Sequence, residues 1–246
     1  MEVHQHTHTE RKKWTHYLWE FLMLFLAVFC GFLAENQRDH MVEKKREKQF
    51  IFSLVNDLQL DTAWFRVVRK SEEAKMQNFD SAILFMSELK NNQMPVRIYQ
   101  YLQRGGTNLV IFLPFNGTIT QLKSSGGLRL ITKKEAVAQI EDYDRQLRRL
   151  DVRRDITNQI AQHFAEALDK TVAGNDLVRA LYDSVFYHKK IVQSQTIHLN
   201  NQNLDELINA SISMRLRAVS DTATNGTVQR QALRLIEFLK KEYHLK

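Results

Sequence analysis

The sequence predicts an all-α protein that is attached to a membrane through one N-terminal helix. Residues 21–34 are all apolar or glycine, and the 246-residue chain has only two prolines and eight glycines. In the remainder, apolar residues recur at intervals of three and four, as on one face of a helix. Such scarcity of helix breakers favours long helices and argues against an all-β fold.

The apolar stretch becomes long enough to cross a bilayer when its aromatic neighbours are included. A span needs roughly 20 mainly apolar residues, with 17 at the short end, and residues 17–34 meet this with only Glu20 as an interruption. Trp14, Tyr17 and Trp19 cluster at one end, which is typical of the headgroup boundary. We therefore predict a transmembrane helix at 14–35 that binds the lipid bilayer, preceded by a flexible tail at 1–13.

A cleaved signal peptide is the alternative for this segment. Residues 11–13 are basic, but a cleavage site needs small residues at positions −3 and −1. Phe32 stands at −3 of a site after Ala34, and Phe29 precedes Cys30, where a lipoprotein signal needs a small residue. The sequence therefore favours an uncleaved anchor.

The basic residues that flank the predicted span give conflicting indications of its orientation. Three Lys or Arg residues precede it at 11–13, and five follow it within 38–48. The side of a span with more Lys and Arg usually stays in the cytoplasm, so a literal count places the large domain there. A short basic tail before a first span, however, commonly stays in the cytoplasm itself, which would place the large domain outside. We favour a single-pass protein of the bacterial inner membrane with a periplasmic domain, and the cytoplasmic orientation stays open.

Residues 36–246 are predicted to form a soluble, antiparallel helical bundle. Helices are expected at 36–73, 76–90, 96–103, 118–122, 132–172, 175–197, 203–218 and 227–243. Asp61 and Thr62 interrupt the apolar face of the first helix, and a polar loop is expected at 220–226. A polar residue followed three positions later by Glu or Gln marks three helix starts: Thr118 with Gln121, Thr132 with Glu135, and Asn203 with Glu206.

The segment 105–131 is expected to be an irregular insert in the bundle. Residues 109–113 and 128–131 are short apolar runs, and each fits either a buried strand or a packed loop. The two runs are able to pair as a two-stranded element. Gly105 and Gly106 are expected to end the helix before the insert, and Gly126 and Gly127 to cap the short helix inside it.

A net charge of +7 suits the approach of the domain to anionic lipid or nucleic acid. The densest basic stretch, 142–155, alternates arginines with aspartates. Because opposite charges three or four residues apart pair along a helix, this pattern predicts a solvated, self-paired face and not a phosphate track. We expect no nucleic-acid partner.

Three histidines in the tail, His4, His6 and His8, are the sharpest chemical feature of the sequence. Neutral imidazoles bind Zn, Cu or Ni. A tail without a core cannot hold a closed four-ligand site, so we expect a polar tail and no cofactor, with a metal site at these histidines as the alternative. The single cysteine, Cys30, lies in the span, so the soluble part uses neither disulfides nor thiolate ligands.

Catalytic motifs are absent from the sequence, which has no glycine-rich phosphate loop, no HExxH and no GxSxG. We therefore expect no catalytic residue and a non-enzymatic scaffold, sensor or protein-interaction module of the cell envelope. Ala27 and Gly31, four residues apart in the span, permit close approach of a second helix, so a protein partner or a homo-oligomer is expected. A metal-handling membrane protein and an envelope enzyme with an unrecognised site are the alternatives.

Two stretches of the sequence stand out together. The first comprises MEVHQHTHTERKKW, EFLMLFLAVFCGFLAE and EKKREKQFIFSLVNDLQLDT, and the second is FNGTITQLKSSGGLRLITKKEAVAQI. They resemble an uncharacterised family of bacterial single-pass membrane proteins. That family combines a histidine-bearing N-terminus, one span, a charged helix and a QLKSSG-x-LRLI segment. The resemblance implies an uncleaved anchor, an all-α fold and a family-defining element at 121–131. It implies no activity and no catalytic residue.

Overall fold

The computed structural model describes residues 14–107, 110–178 and 196–245, and it confirms the all-α fold. The α-helices of this part of the chain are α1 (Trp14–Ser87), α2 (Val96–Thr107), α3 (Gly117–Ser124), α4 (Lys134–Thr171), α5 (Gly174–Leu177) and α6 (Leu204–Tyr243). Short 3-10 helices lie at Gly127–Leu130 and Asn201–Asn203. Two strands, β1 (Gln93–Pro95) and β2 (Thr196–His198), form an antiparallel pair.

The chain divides into two compact units, 1–49 and 50–246. The described part of the first unit, 14–49, belongs to α1 and contains the apolar stretch. The best 18-residue window there has a mean hydropathy of 2.0, and none of it is buried. By length and composition this segment is a candidate membrane span.

The second unit has two apolar cores, and α1, α4 and α6 contribute to both. Core 1 is formed by Ile51, Leu54, Leu58 and Phe65 of α1 with side chains from α3, the first half of α4 and the second half of α6. Core 2 is formed by Phe79 and Met86 of α1, the strands, α2, the second half of α4 and the first half of α6. Opposite ends of α4 and α6 meet, because Lys133 contacts Glu242 and Lys170 contacts Glu206. The two helices are therefore antiparallel, as predicted.

Two predicted helix ends are wrong, because α1 and α6 each continue through a segment expected to break them. The break expected between 73 and 76 lies inside α1, where Lys75 pairs with Glu72 one turn earlier. The polar loop expected at 220–226 lies inside α6, where Arg217 pairs with Asp221 one turn later. In both places, ion pairs along the helix axis replace the missing apolar residues. The helix predicted at 132–172 is confirmed as α4.

The pair of glycines at 105 and 106 lies inside α2 and does not end it at residue 103. A Cβ atom on Gly105 would come within 2.9 Å of the Phe79 ring, and one on Gly106 would come closer still to the Phe164 ring. The Phe79 and Phe164 rings contact each other edge to face, with centroids 5.2 Å apart. These glycines therefore let the backbone of α2 approach two aromatic rings of core 2.

The sequence leaves open a strand pairing between 109–113 and 128–131, and the described residues of these runs do not form it; the alternative of a packed loop holds for 110–113. Residues 110–116 have no regular structure, and 128–131 lie largely in a 3-10 helix. Trp64 donates a hydrogen bond from Nε1 to the carbonyl oxygen of Ile111 at 3.1 Å, and Phe112 stacks on Phe65 at 3.8 Å. Side chains of α1 therefore hold this loop in place of a partner strand.

The capping box predicted at Thr118 is also wrong, because α3 begins at Gly117 and an aspartate of α1 supplies its cap. Asp57 accepts a hydrogen bond from the backbone nitrogen of Thr118 at 3.0 Å. Of the helix predicted at 175–197, Gly174–Leu177 is helical and Thr196–His198 is a strand. Residues 179–195 lie outside the described part of the chain.

Candidate functional site

A group of charged and polar side chains lies between core 1 and core 2 on each of the three long helices. We call this group the polar layer, and it consists of Ser71, Glu72 and Lys75 on α1, Arg153 and Thr157 on α4, and Arg217 and Asp221 on α6. Buried charges are costly unless they are paired and hydrogen-bonded. The contacts of the layer therefore determine whether it is only structural.

Asp221 is the centre of the layer, because two arginines share its carboxylate. Arg153 donates from Nη2 to Asp221 Oδ1 at 3.1 Å, and Arg217 contacts the same oxygen at 2.9 Å. Thr157 donates from Oγ1 to Asp221 Oδ2 at 3.1 Å and accepts from Arg217 Nε at 2.8 Å. Arg217 also donates to the backbone carbonyl of Arg153 at 2.8 Å. These bonds connect α4 to α6 and orient both guanidinium groups.

The second ion pair of the layer lies within α1. Lys75 Nζ contacts both carboxylate oxygens of Glu72, at 2.8 and 3.0 Å, and the two side chains are 4% and 7% exposed. Burial raises the pKa of Glu72 above its ordinary value, while Lys75 and, more weakly, Arg217 act in the opposite direction. The carboxylate of Asp221 also raises this pKa, so Glu72 responds to charges on α6 as well as on its own helix.

The polar layer carries one positive charge more than its carboxylates neutralise. Its cations are Lys75, Arg153 and Arg217, and its anions are Glu72 and Asp221. Lys75 and Glu72 form one pair, which leaves two guanidinium groups on one carboxylate. An uncompensated charge in a half-buried site attracts an anion.

Three polar side-chain atoms in the described residues are buried without a hydrogen-bond partner, and each belongs to a different long helix at the level of the layer. They are Ser71 Oγ, Arg153 Nε and Thr222 Oγ1. Buried polar groups in native proteins are nearly always hydrogen-bonded, so unpaired ones indicate a bound water, ion or ligand, or a functional role. The unpaired Arg153 Nε–H is the only charged donor among the three.

A cavity of about 70 Å³ lies beside the layer. Its charged lining comprises Glu72, Lys75, Arg153, Arg154 and Asp221. Its apolar lining comprises Val68, Val110, Ile111, Phe112 and Leu150. Thr157, Asn158 and Asn225 complete the lining. The charged lining therefore has three cations and two carboxylates, and the loop held by Trp64 and Phe65 contributes to the apolar lining.

A second buried polar contact lies inside core 1, away from the cavity. Tyr143 donates from its hydroxyl group to Asp61 Oδ2 at 2.7 Å, and the backbone nitrogen of Phe115 donates to Asp61 Oδ1 at 2.7 Å. Burial raises the pKa of both Asp61 and Tyr143 above their ordinary values. This contact connects α1 to α4 and to the loop before α3, so we interpret it as structural.

The histidines predicted to bind metal, His4, His6 and His8, lie outside the described residues, and a metal site there stays a prediction. Within the described ranges, no three His, Cys, Asp or Glu side chains are grouped as metal ligands. The Nδ1 atom of His198 lies 2.8 Å from Oδ2 of Asp176, and the His198 side chain is otherwise largely exposed.

The basic stretch at 142–155 is mostly self-paired, as predicted. Arg145 pairs with Asp142 at 3.5 Å, Arg154 pairs with Asp151 at 3.3 Å, and Arg148 pairs with Asp144. Arg153 differs because it contacts Asp221 on another helix. The spacing of charges around Arg153 does not distinguish it from its neighbours. Its partner Asp221 is distant in the sequence and lies in a segment expected to be a loop.

Comparisons of the chain with protein-family models, with curated proteins and with solved structures found no match.

Proposed function

We propose that the protein is a membrane-anchored, non-enzymatic sensor whose helical domain binds a ligand at the polar layer. The observation that carries this proposal is the sharing of the Asp221 carboxylate by Arg153 and Arg217 beside a cavity. Arginine stays protonated in proteins, so these groups hold an anion and do not transfer protons as a general base does. This arrangement supports binding more than catalysis.

The proposed anchor is the segment 14–35 in the inner membrane of a bacterium. The large apolar side chains of this segment are exposed, among them Phe21, Leu24 and Phe25. An apolar surface of this extent is unfavourable in water and suits a bilayer. The anchor proposal rests on this surface together with the 0% burial of the candidate span.

Alkaline extraction of membranes from cells that produce the full chain tests the anchor. We expect the wild-type protein to stay in the membrane pellet and the Leu24→Arg/Phe25→Arg variant to be released, because a charge at the centre of a span costs about 2.5–3.5 kcal/mol. Phe52→Arg is the matched control, since Phe52 is an exposed aromatic residue on the same helix beyond the apolar stretch. Release of the wild-type protein would overturn the proposal.

We also propose that the helical domain lies in the periplasm. The short basic tail at 11–13 favours this orientation over the cytoplasmic one. Reporters fused to the C-terminus, one active only in the periplasm and one only in the cytoplasm, test it directly. Activity of the cytoplasmic reporter alone would reverse the orientation and leave the anchor intact.

A second copy of the chain is the proposed partner of the span. A Cβ atom added to Gly31 would meet no other atom within 4 Å, and Ala27 precedes this glycine by four residues. Small residues at this spacing allow two spans to approach closely. Cross-linking in membranes should therefore trap a dimer that Gly31→Leu weakens and Gly226→Leu does not.

A further inference from the structure

The charge of the polar layer determines what kind of ligand the cavity accepts. Two guanidinium groups share the Asp221 carboxylate, and Lys75 is already paired with Glu72. One positive charge therefore remains without a partner in the layer. A ligand with a single negative charge balances it, whereas a dianion would leave one negative charge in excess beside Glu72 and Asp221.

The hydrogen-bonding groups indicate where that negative charge lies. Arg153 uses Nη2 to bind Ser220 Oγ at 2.7 Å and Asp221 Oδ1 at 3.1 Å, while its buried Nε–H has no acceptor among the described residues. A guanidinium presents its N–H groups in a planar fork that fits a carboxylate. A carboxylate group bound in the cavity would therefore face the guanidinium group of Arg153, which lines it.

The apolar part of the cavity lining suits an apolar group. Val68, Val110, Ile111, Phe112 and Leu150 line it. Phe112 is held by stacking on Phe65, and Ile111 is held by its carbonyl bond to Trp64. A fully hydrated inorganic anion gains nothing from such a wall, because desolvating its remaining oxygens there is costly. A short hydrocarbon chain gains by leaving water.

The volume of the cavity determines how much of that chain it encloses. The cavity measures about 70 Å³, and a site for one water needs roughly 10–15 Å³ on this scale. The space therefore encloses about five non-hydrogen atoms. A carboxylate group uses three of them, which leaves room for a chain of about two further carbons.

We infer that this cavity is a binding site for a short-chain monocarboxylate whose carboxylate group faces Arg153 and whose hydrocarbon chain contacts the apolar wall. The inference rests on the proposed binding function and names the ligand class of that site. Neither the anchor nor the orientation of the protein depends on it.

Isothermal titration calorimetry of the full chain in detergent micelles tests the ligand class at neutral pH and constant ionic strength. The probes are acetate, propionate and butyrate, with propionamide as the uncharged analogue, inorganic phosphate as the anion without a chain, and chloride as the background salt. We expect saturable binding that is strongest for propionate. Phosphate and propionamide should bind at least roughly tenfold more weakly.

The matched variants are Arg153→Gln and Arg145→Gln, which remove one arginine each from the same helix. Arg145 is exposed and pairs with Asp142 outside the layer. We expect Arg153→Gln to lose propionate binding and Arg145→Gln to bind like the wild type. If Arg153→Gln fails to fold, Arg153→Lys replaces it, and it should bind at least roughly tenfold more weakly because an ammonium lacks the planar fork.

Each remaining outcome of the titration overturns the inference. Absence of saturable binding by any carboxylate contradicts the site itself. Equal binding of propionamide contradicts the role of charge, and stronger binding of phosphate contradicts the role of the apolar wall. Equal affinities of the wild type and the Arg153 variants for propionate would show that propionate binds as an adventitious additive only. Membrane extraction measured on the same preparations separates these failures from failure of the proposed anchor.

Discussion

Tyr143 on α4 donates a hydrogen bond to Asp61 on α1 at 2.7 Å, and both side chains are almost fully buried in core 1. The same carboxylate accepts a bond from the backbone nitrogen of Phe115. One buried aspartate therefore connects two long helices and a loop. Such a group is stable in a core only while its acceptor oxygens are satisfied.

Removing the Tyr143 hydroxyl should therefore destabilise the domain. In Tyr143→Phe, Asp61 Oδ2 loses its donor and stays buried, which costs about 2 kcal/mol of the free energy of unfolding. Urea unfolding of the solubilised protein measures this change. Tyr101→Phe is the control, because Tyr101 binds Arg97 near the surface. Equal stabilities of the two variants would contradict the structural role of the contact.

The pH dependence of stability should reveal the buried carboxyl group of Asp61. Burial, the largest cause, raises the pKa of Asp61 above its ordinary value of 3.8. As pH rises, the unfolded chain releases this proton first, so the contribution of Asp61 to stability is complete below 3.8 and is lost as pH rises through the raised pKa.

We therefore expect the wild type to lose stability relative to Asp61→Asn as pH rises from 3.8 through the raised pKa of Asp61. Asparagine stays neutral and can still accept the bond from the Phe115 nitrogen. Urea unfolding of both proteins across this range measures the difference. A wild type that gains stability relative to the variant as pH rises would contradict the raised pKa.

Glycine substitutions should have opposite effects in two helices. Gly106→Ala drives a Cβ atom into the Phe164 ring, so overpacking should destabilise the domain by about 1–3 kcal/mol. Gly226→Ala in α6 meets only the end of the Arg230 side chain at 3.6 Å and should stabilise it by about 0.5–1 kcal/mol. Thermal unfolding measures both variants, and a stabilising Gly106→Ala would contradict the close packing of α2.

The start of α3 should depend on Asp57 and not on Gln121. Asp57→Ala removes the acceptor of the Thr118 backbone nitrogen and should cost about 1 kcal/mol, as the loss of a helix cap does. Gln121→Ala removes the residue that a capping box would need and should change stability by less than about 0.5 kcal/mol. Urea unfolding measures both stability losses. A larger loss for Gln121→Ala than for Asp57→Ala would support a capping box at Thr118 instead.

The helical fold is predictable from the sequence because apolar spacing reports burial along a single helix. Ile51, Leu54 and Leu58 are buried as their spacing indicates, and α4 begins and ends close to its predicted bounds. The continuity of the helices near 75 and 220 is not predictable in this way, because polar residues there are held by ion pairs. The sequence of these two polar segments resembles that of a loop.

The candidate site was not predictable because its contacts join distant parts of the chain. Arg153 and Asp221 are 68 residues apart, and each lies in a stretch whose local pattern indicates a solvated surface. Arg153 stands in an alternating charged stretch, and Asp221 follows a serine and precedes threonines. Only the packing of α4 against α6 brings them together between the two cores.

The central claim is that the polar layer holds one positive charge more than its two carboxylates balance. Comparing the stabilities of Asp221→Asn and Arg153→Met tests this claim most directly. Asp221→Asn leaves two guanidinium groups without a carboxylate and should lower the free energy of unfolding by about 2–3 kcal/mol. Arg153→Met removes the excess charge and keeps the Arg217–Asp221 pair, so it should change stability by less than about 1 kcal/mol. Urea unfolding without added carboxylate measures both values. Equal losses, or a larger loss for Arg153→Met, would contradict the claim.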